Sequence, residues 1–127
     1  MEKEFVLYTE ALELKELGFD EPCFGLYDDI DKVFSQIHSM ASVHGEEYSR
    51  LKITKAPTFS QAFRWFREKY GLWFRPDYYD EMKEYNFQGS IHELGKYSAV
   101  ADIGNHKTPE EAELACLKKL IEIVKEK

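Results

Sequence analysis

The sequence predicts an α+β protein: a small antiparallel sheet packed by two main helices and a short N-terminal helix, with the C-terminal part in the order α-β-β-β-α. Two observations predict this class. Apolar residues recur at helical spacing in 58–70 and 109–124, each behind a capping motif. Between them lie short segments rich in aromatic and β-branched residues. With 127 residues, 43% of them hydrophobic, the chain is expected to form a single domain, 1–127.

The N-terminal part predicts a short helix followed by a strand. Thr9 is the expected N-cap of a helix over residues 9–17, and Gly18 suits its left-handed end. Residues 23–27 are expected to form a strand that runs into an acidic turn. Residues 30–41 fit either a helix face or a return strand paired with that first strand, and we favour the hairpin.

The middle helix is the clearest predicted element. Thr58 and Gln61 have the spacing of a capping box. Apolar residues then recur at i, i+3, i+4, i+7 and i+11, which predicts a buried stripe. The stripe consists of Phe59, Ala62, Phe63, Phe66 and Tyr70. Arg64, Trp65 and Arg67 lie off that stripe, so they are expected on its flanks or on the solvent side.

Three strands and a final helix are expected after Gly71, which ends the middle helix. The expected strands are 72–74, 85–91 and 97–103. Thr108 is the expected N-cap of a helix over 109–124, with Pro109 in its first position. The sequence therefore predicts the order α-β-β-β-α for the C-terminal part.

The charge argues against nucleic acid as a partner of the protein as a whole. Seventeen lysines and arginines against 24 acids give a net charge of −7. Residues 1–31 hold ten acids and two bases, whereas residues 50–75 hold seven bases and one acid. Either these two stretches attract each other in the fold, which we favour, or the basic stretch meets an anionic ligand.

Membrane and redox signals predict a cytoplasmic protein without membrane contact. No apolar run approaches the roughly 20 residues of a membrane-spanning helix. The N-terminal residues lack the basic and then apolar order of a signal peptide. Cys23 and Cys116 are the only cysteines, and their wide spacing predicts reduced, packed thiols.

Sequence motifs of catalysis and metal binding are missing from the chain. The histidines and acids show no metal-ligand spacing, and the sequence contains no glycine-rich phosphate loop and no nucleophile elbow. We therefore expect no metal, no cofactor and no enzymatic activity. An enzyme would be indicated if His92 or His106 lay within hydrogen-bond reach of a serine, a cysteine or a carboxylate in a pocket.

Three strings of the chain carry a resemblance to other proteins: ALELKELGFDEPCFG at Ala11–Gly25, QAFRWFREKYGL at Gln61–Leu72 and EEAELACLKKLIEIVKEK at Glu110–Lys127. They resemble a group of small uncharacterised proteins of gut Bacteroides-type bacteria and their phages. The resemblance implies no activity and no site residue, because no activity is assigned to that group. It implies a phage or mobile-element setting, in which small acidic proteins often bind and block a host component.

The predicted C-terminal order is also similar to that of double-stranded RNA-binding domains. That family holds phosphates with a basic cluster at the start of its second helix. Here Glu110, Glu111 and Glu113 stand at that point and would repel a phosphate backbone. The similarity is therefore one of topology, which does not assign a function.

Cations alternate with aromatic rings from the middle helix into the following strand. The residues are Arg64, Trp65, Arg67, Trp73 and Arg75. Either they form an aromatic core with a solvated basic flank, or they form a binding site, since tryptophan and arginine dominate interface hot spots. Among functions, the sequence favours a non-enzymatic binding or interaction protein of phage or mobile-element origin.

Such a protein would engage a host protein or sequester a small anionic ligand through those five residues. The alternative is weak single-stranded nucleic-acid binding through the basic and aromatic helix 58–70, where rings could stack on unpaired bases. Self-association is a further option, since exposed rings at a sheet edge also suit a homodimer.

Overall fold

The structure is a computed structural model that describes residues 2–37, 45–78 and 87–127. The chain divides into two compact units, Met1–Gln61 and Ala62–Lys127. Each unit carries a three-stranded antiparallel sheet. The structure confirms the predicted α+β class, the short N-terminal helix and the C-terminal order α-β-β-β-α. The sequence predicted one sheet, and the sheet of the first unit is a second one. The assignment of 1–127 to one domain stays a prediction.

The helices and strands follow one another in a simple order after a 3-10 turn at Glu2–Glu4. They are α1 (Tyr8–Glu16), β1 (Gly25–Asp28), β2 (Phe34–Gln36), α2 (Gly45–Arg50), β3 (Ile53–Ala56), α3 (Phe59–Tyr70), β4 (Leu72–Tyr78), β5 (Phe87–Glu93), β6 (Ala101–Asp102) and α4 (Pro109–Lys125). The sequence did not predict α2 or β3.

Helix α1 ends as predicted but begins differently. Its N-cap is Leu7, which has extended backbone and no side-chain hydrogen bond, so the predicted N-cap Thr9 was wrong. At the other end Gly18 has a φ of 99°, and the N–H of Phe19 donates to the Leu14 carbonyl at 2.9 Å. This is the Schellman arrangement, which satisfies carbonyl groups that the end of a helix leaves without partners.

The first sheet has the strand order β2-β1-β3. Strands β1 and β2 pair antiparallel with Tyr27 opposite Phe34, so the hairpin favoured for residues 30–41 is confirmed up to the end of β2. Residues 38–41 of that expectation lie outside the described residues. The Tyr27 ring packs against Phe34 and Tyr8, and its hydroxyl donates to the Val6 carbonyl at 2.8 Å. Residues near α1 thus cover this face of the sheet.

Helix α3 starts in the first unit and continues into the second. The Thr58 hydroxyl accepts a hydrogen bond from the Gln61 N–H at 3.1 Å, which confirms the predicted cap. The Gln61 side chain donates to the Pro22 carbonyl at 2.9 Å instead of reaching back to Thr58. The second half of the predicted capping box is therefore replaced by a contact with the segment before β1.

The second sheet has the order β4-β5-β6, with each pair antiparallel. The predicted strands 72–74 and 85–91 correspond to β4 and β5, although residues 85–86 lie outside the described part of the chain. The third expected strand, 97–103, is reduced to β6. A Cβ atom on Gly89 would collide with the Phe74 ring, so the absence of a side chain lets that ring lie on the sheet.

Helix α4 covers the inner face of the second sheet. The Thr108 hydroxyl accepts from the Glu111 N–H at 3.1 Å, and Pro109 is the first helical residue, so the predicted start is confirmed. Its buried residues are Ala112, Cys116, Leu117, Leu120 and Ile121. They join Ile91 of β5 and Leu72 of β4 in the apolar core of this unit.

Among the helices in the described ranges, none is long and apolar enough to cross a membrane.

Candidate functional site

The second sheet presents an exposed face opposite its core. Side chains alternate along a strand, so residues that flank Phe74 and Ile91 on β4 and β5 point away from the core. The pairing places Trp73 opposite His92 and Arg75 opposite Ser90. We call the surface formed by these last four residues the outer face.

A stacked ring pair forms the centre of the outer face. The Trp73 and His92 ring centroids lie 4.7 Å apart with 23° between the ring planes. The Ser90 hydroxyl lies 2.9 Å from His92 Nε2. These two contacts fix the imidazole, while 38% of Trp73 stays exposed. The outer face therefore offers an ordered aromatic surface to solvent.

Arg75 adds a cation two residues further along the same strand. Its side chain is 62% exposed, and its Nε lies 3.9 Å from the nearer Asp77 carboxylate oxygen. An exposed ion pair of that length contributes little to stability. The guanidinium group can therefore turn toward a carboxylate or a phosphate of a partner at small energetic cost.

Exposed apolar residues continue this surface beyond the strand ends. Leu94 and Tyr97 are highly exposed, and Val100 is partly exposed. The N–H of Leu94 donates to the Gly71 carbonyl at 2.8 Å, and that of Val100 donates to the Ile91 carbonyl at 2.8 Å. The backbone at both ends of the turn between β5 and β6 is therefore held to neighbouring strands.

Glu93 anchors the same turn to the end of α4. Its carboxylate accepts from Lys96 at 2.7 Å and from Lys127 at 2.8 Å. The hydrogen bonds from Lys127 and Lys96 lower the pKa of Glu93 to about 2. The turn that presents Leu94 and Tyr97 is therefore tied down at its base.

Trp65 lies in a different place from the one the sequence predicts. It is only 6% exposed and packs edge to face on Phe66 and Tyr70, with Lys69 Nζ 5.0 Å from its ring. Phe59, Ala62 and Phe66 of the predicted stripe are buried, whereas Phe63 is only half-buried. The expectation that Trp65 lies on the flank of the stripe or on the solvent side was wrong, because the side chain is buried. Trp65 is therefore a core residue.

The other four predicted site residues divide between two surfaces. Trp73 and Arg75 share the outer face. Arg64 and Arg67 are exposed on α3, where the Arg64 Nε lies 3.9 Å from a Glu68 carboxylate oxygen. The Phe63 ring of α3 contacts Phe74, which points to the side of the sheet opposite Trp73. The helix cations and the outer face therefore do not form one patch.

The described groups with catalytic chemistry include the pair Ser90 and His92 and the two cysteines. The Ser90 hydroxyl lies within hydrogen-bond reach of His92, which meets the first half of the condition set for an enzyme, and neither residue lines either of the two clefts found in the first unit. Burial raises the pKa of the Cys23 thiol to about 12 and also raises the pKa of Cys116, so neither is a ready nucleophile. Within the described ranges, no three acidic, histidine or cysteine side chains come together as a metal site.

A buried polar cluster in the first unit has no signal in the sequence. Lys55 is 1% exposed, and its ammonium donates to Asp20 Oδ1 at 2.9 Å and to the Asp20 carbonyl at 3.1 Å. The ammonium groups of Lys55 and Lys15 lie 4.6 and 4.4 Å from the centroid of the Tyr48 ring. Burial raises the pKa of the Tyr48 hydroxyl, which accepts from the Lys55 N–H at 2.6 Å.

This cluster also tests the expectation about charge. Lys55 belongs to the basic stretch 50–75, and Asp20 belongs to the acidic stretch 1–31. One ion pair between these two stretches therefore forms inside the first unit. A cleft of about 310 Å³ opens beside Tyr48, but Lys55 and Asp20 already satisfy each other, so the cluster is structural.

The chain matches no protein-family model, no curated protein and no solved structure. The resemblance to small proteins of gut bacteria and their phages stays a prediction.

Proposed function

We propose that the chain is a non-enzymatic binding protein that engages a partner protein through the outer face. The observation that supports this most directly is the ordered stack of Trp73 on His92, which leaves more than a third of the tryptophan exposed beside an exposed Arg75. Tryptophan and arginine are the residue types that carry most binding energy at protein interfaces.

The shape of the outer face favours a protein over a small anionic ligand. Small ligands bind in concave sites that bury most of their surface. Trp73 and Arg75 are instead exposed on a strand of the second sheet, and neither of them lines either of the two clefts found in the first unit. The exposed Leu94 and Val100 extend the apolar area next to the stack. A partner with an apolar side chain and a carboxylate would complement this surface.

Weak binding of single-stranded nucleic acid through helix 58–70 is the second candidate. That proposal needs an exposed ring on α3 to stack against a base. Trp65 is buried, which leaves Arg64 and Arg67 as a cationic strip without that ring. The geometry therefore supports this candidate less than it supports a protein partner.

The biological setting of the proposal rests on the sequence. The three strings that resemble phage and mobile-element proteins suggest a host protein as the partner. Cys23 and Cys116 are free and buried, which is in keeping with the reducing cytoplasm that we propose as the place of action.

Native mass spectrometry of the protein purified from its source background tests the proposal. We expect wild type to carry a protein partner, and a Trp73→Ala/Arg75→Ala variant to lose it. An Arg64→Ala/Arg67→Ala variant is the matched control, because it removes exposed cations from α3 and leaves the outer face intact. We expect this control to keep the partner.

Three results would contradict the proposal. Loss of the partner only in the Arg64→Ala/Arg67→Ala variant would move the site to α3. A bound nucleic acid or small anion would change the class of partner. A bare monomer, or a homodimer that the Trp73→Ala/Arg75→Ala variant preserves, would leave the outer face without a tight partner.

A further inference from the structure

The two sheets of the described residues have four outer edges, and three of these edges are protected. On the edge of β3, the Ile53 carbonyl accepts from Lys15 Nζ at 2.7 Å. The Lys55 N–H on the same edge donates to the Tyr48 hydroxyl at 2.6 Å. Strand β4 contains Pro76, which lacks the N–H that a pairing strand requires, and β6 is only two residues long. The remaining edge belongs to β2.

The backbone groups of β2 divide between its two sides. The Ile37 N–H donates to the Phe24 carbonyl at 2.7 Å, and the Val33 carbonyl accepts from β1 at 3.0 Å. The bonded residues of an antiparallel pair alternate along a strand, so Phe34 and Gln36 turn their N–H and C=O groups away from β1. Within the described part of the chain, no strand pairs with β2 on that side.

The open edge of β2 lacks the features that keep the edges of sheets apart. Residues 33–37 read VFSQI, without a charge, a proline or a glycine. Val33 is 58% exposed, and Ser35 and Gln36 are exposed beside it. Natural edge strands commonly carry lysine, proline or a bulge, because an unprotected edge pairs with another strand. Strand β2 is therefore suited to pairing with a strand of another chain.

The sequence of β2 is complementary to a second copy of itself. When two such strands run antiparallel with their Ser35 residues opposite each other, each Phe34 lies opposite a Gln36. Each of these two residue pairs exchanges two backbone hydrogen bonds, so the N–H and C=O groups on both open edges find partners. The same register places the exposed Val33 of one copy opposite Ile37 of the other. Pairs of β-branched side chains on neighbouring strands stabilise a sheet.

We propose that the chain forms a homodimer in which the β2 strands of two copies pair antiparallel and join their first sheets into one continuous sheet. The two-fold axis passes beside Ser35, so both copies use the same residues. Only residues 33–37 of each copy pair, and we therefore expect a weak dimer that forms at high protein concentration. The dimer uses residues of the first unit and does not depend on the function proposed above.

Sedimentation equilibrium of the full chain, from about 1 μM to about 1 mM, tests the dimer. We expect wild type to associate as its concentration rises. Gln36→Pro removes an outward N–H from each copy and leaves the bonds to β1 in place, so dimerisation should weaken by at least about tenfold. Gln36→Ala is the matched control, because it removes the same side chain but keeps the N–H, and it should associate like wild type. Equal association of all three chains would overturn the proposal, as would an equal loss in the two variants.

Charges at position 35 test the register. Like charges directly opposite each other on paired strands are destabilising. Ser35→Lys and Ser35→Asp should each reduce dimerisation, because each variant places its new charge against the same charge in the second copy. A mixture of the two variants should form a heterodimer that is tighter than the dimer of either variant alone. This recovery separates loss of the interface from loss of folding, since an unfolded strand would not pair. A mixture that associates no better than its components would overturn the proposal.

Two further outcomes would also overturn it. A wild-type chain that stays monomeric at every concentration has no such interface. A dimer that only Trp73→Ala/Arg75→Ala dissociates would have its interface at the outer face instead. In native mass spectrometry, a partner bound at the outer face adds its mass to the monomer or to the dimer, and Gln36→Pro should keep that partner. Only a dimer without such a partner counts against the function proposed above, so the two proposals can fail separately.

Discussion

The ring of Trp73 stacks on the ring of His92 across the pair of strands β4 and β5, while the Ser90 hydroxyl holds His92 Nε2 from the same strand. This contact exists because the antiparallel register places the two residues opposite each other. It orders an aromatic surface that would otherwise change rotamers in solvent. The proposed function depends on that order, since a preformed surface binds with a smaller entropic cost.

The stack predicts a measurable coupling between the two residues. We expect Trp73→Ala and His92→Ala to interact by about 0.5–1.5 kcal/mol in the free energy of unfolding, the range for paired aromatic rings. Urea denaturation of wild type, both single variants and the double variant measures this coupling. Strictly additive effects would mean that the rings do not stack in solution.

The close packing around Gly89 predicts that a larger residue at this position destabilises the second sheet. A Cβ there would collide with the Phe74 ring and lie 2.9 Å from the Arg75 carbonyl oxygen. Gly89→Ala should lower the free energy of unfolding by about 1–3 kcal/mol, as overpacking of a core does. A Phe74→Leu exchange in the same chain should recover part of that loss. If Gly89→Ala leaves the urea midpoint unchanged, the ring does not lie over the glycine.

The buried pair in the first unit predicts unequal effects for its two members. Asp20→Ala leaves the Lys55 ammonium buried without its carboxylate, so we expect a loss of about 3 kcal/mol in the free energy of unfolding. Lys55→Met removes the buried charge itself and should cost about 1 kcal/mol or less, because Asp20 is partly exposed and still accepts from the Gly45 N–H. Chemical denaturation compares the two variants, and the reverse order would refute this account of the cluster.

Glu93 predicts a defined acid dependence of stability. Its pKa is about 2 in the folded protein, below the roughly 4.3 of an unfolded glutamate. As the pH falls, the Glu93 carboxylate is therefore protonated in the unfolded state before it is protonated in the folded state. The stabilisation that the ionised carboxylate gives the folded state is complete above about pH 4.3 and is lost as the pH falls toward 2. In a Glu93→Gln variant, the denaturation midpoint should change less with pH between those two values. Glu122→Gln is the control, because it removes an exposed ion pair with Lys119 at 3.3 Å. Its denaturation midpoint should depend on pH in the same way as that of wild type.

Local signals account for the parts of the fold that the sequence predicts correctly. Thr58 and Thr108 accept hydrogen bonds from the third residue of their helices, and Gly18 and Gly71 have positive φ at helix ends. Each of these features depends on a few neighbouring residues, so the sequence alone can reveal it.

Burial and register depend on distant parts of the chain. Lys55 is followed and preceded by small buried residues, and its burial is explained by Asp20, 35 positions away, together with the ring of Tyr48. The spacing places Trp65 off the apolar stripe, yet its side chain is only 6% exposed. For the candidate site, spacing singled out Trp73 and Arg75, but it could not show that His92 and Ser90 lie opposite them, because strand pairing is not encoded locally.

The most direct test of the central claim is photo-crosslinking from position 73 in the source cell. We would replace Trp73 with p-benzoylphenylalanine and, in a control chain, place the same residue at the exposed Lys118 on α4. The account predicts one protein that crosslinks from position 73 and not from position 118, and that is displaced by excess wild-type chain but not by the Trp73→Ala/Arg75→Ala variant. Identical crosslinks from both positions, or none from position 73, would contradict a protein partner at the outer face.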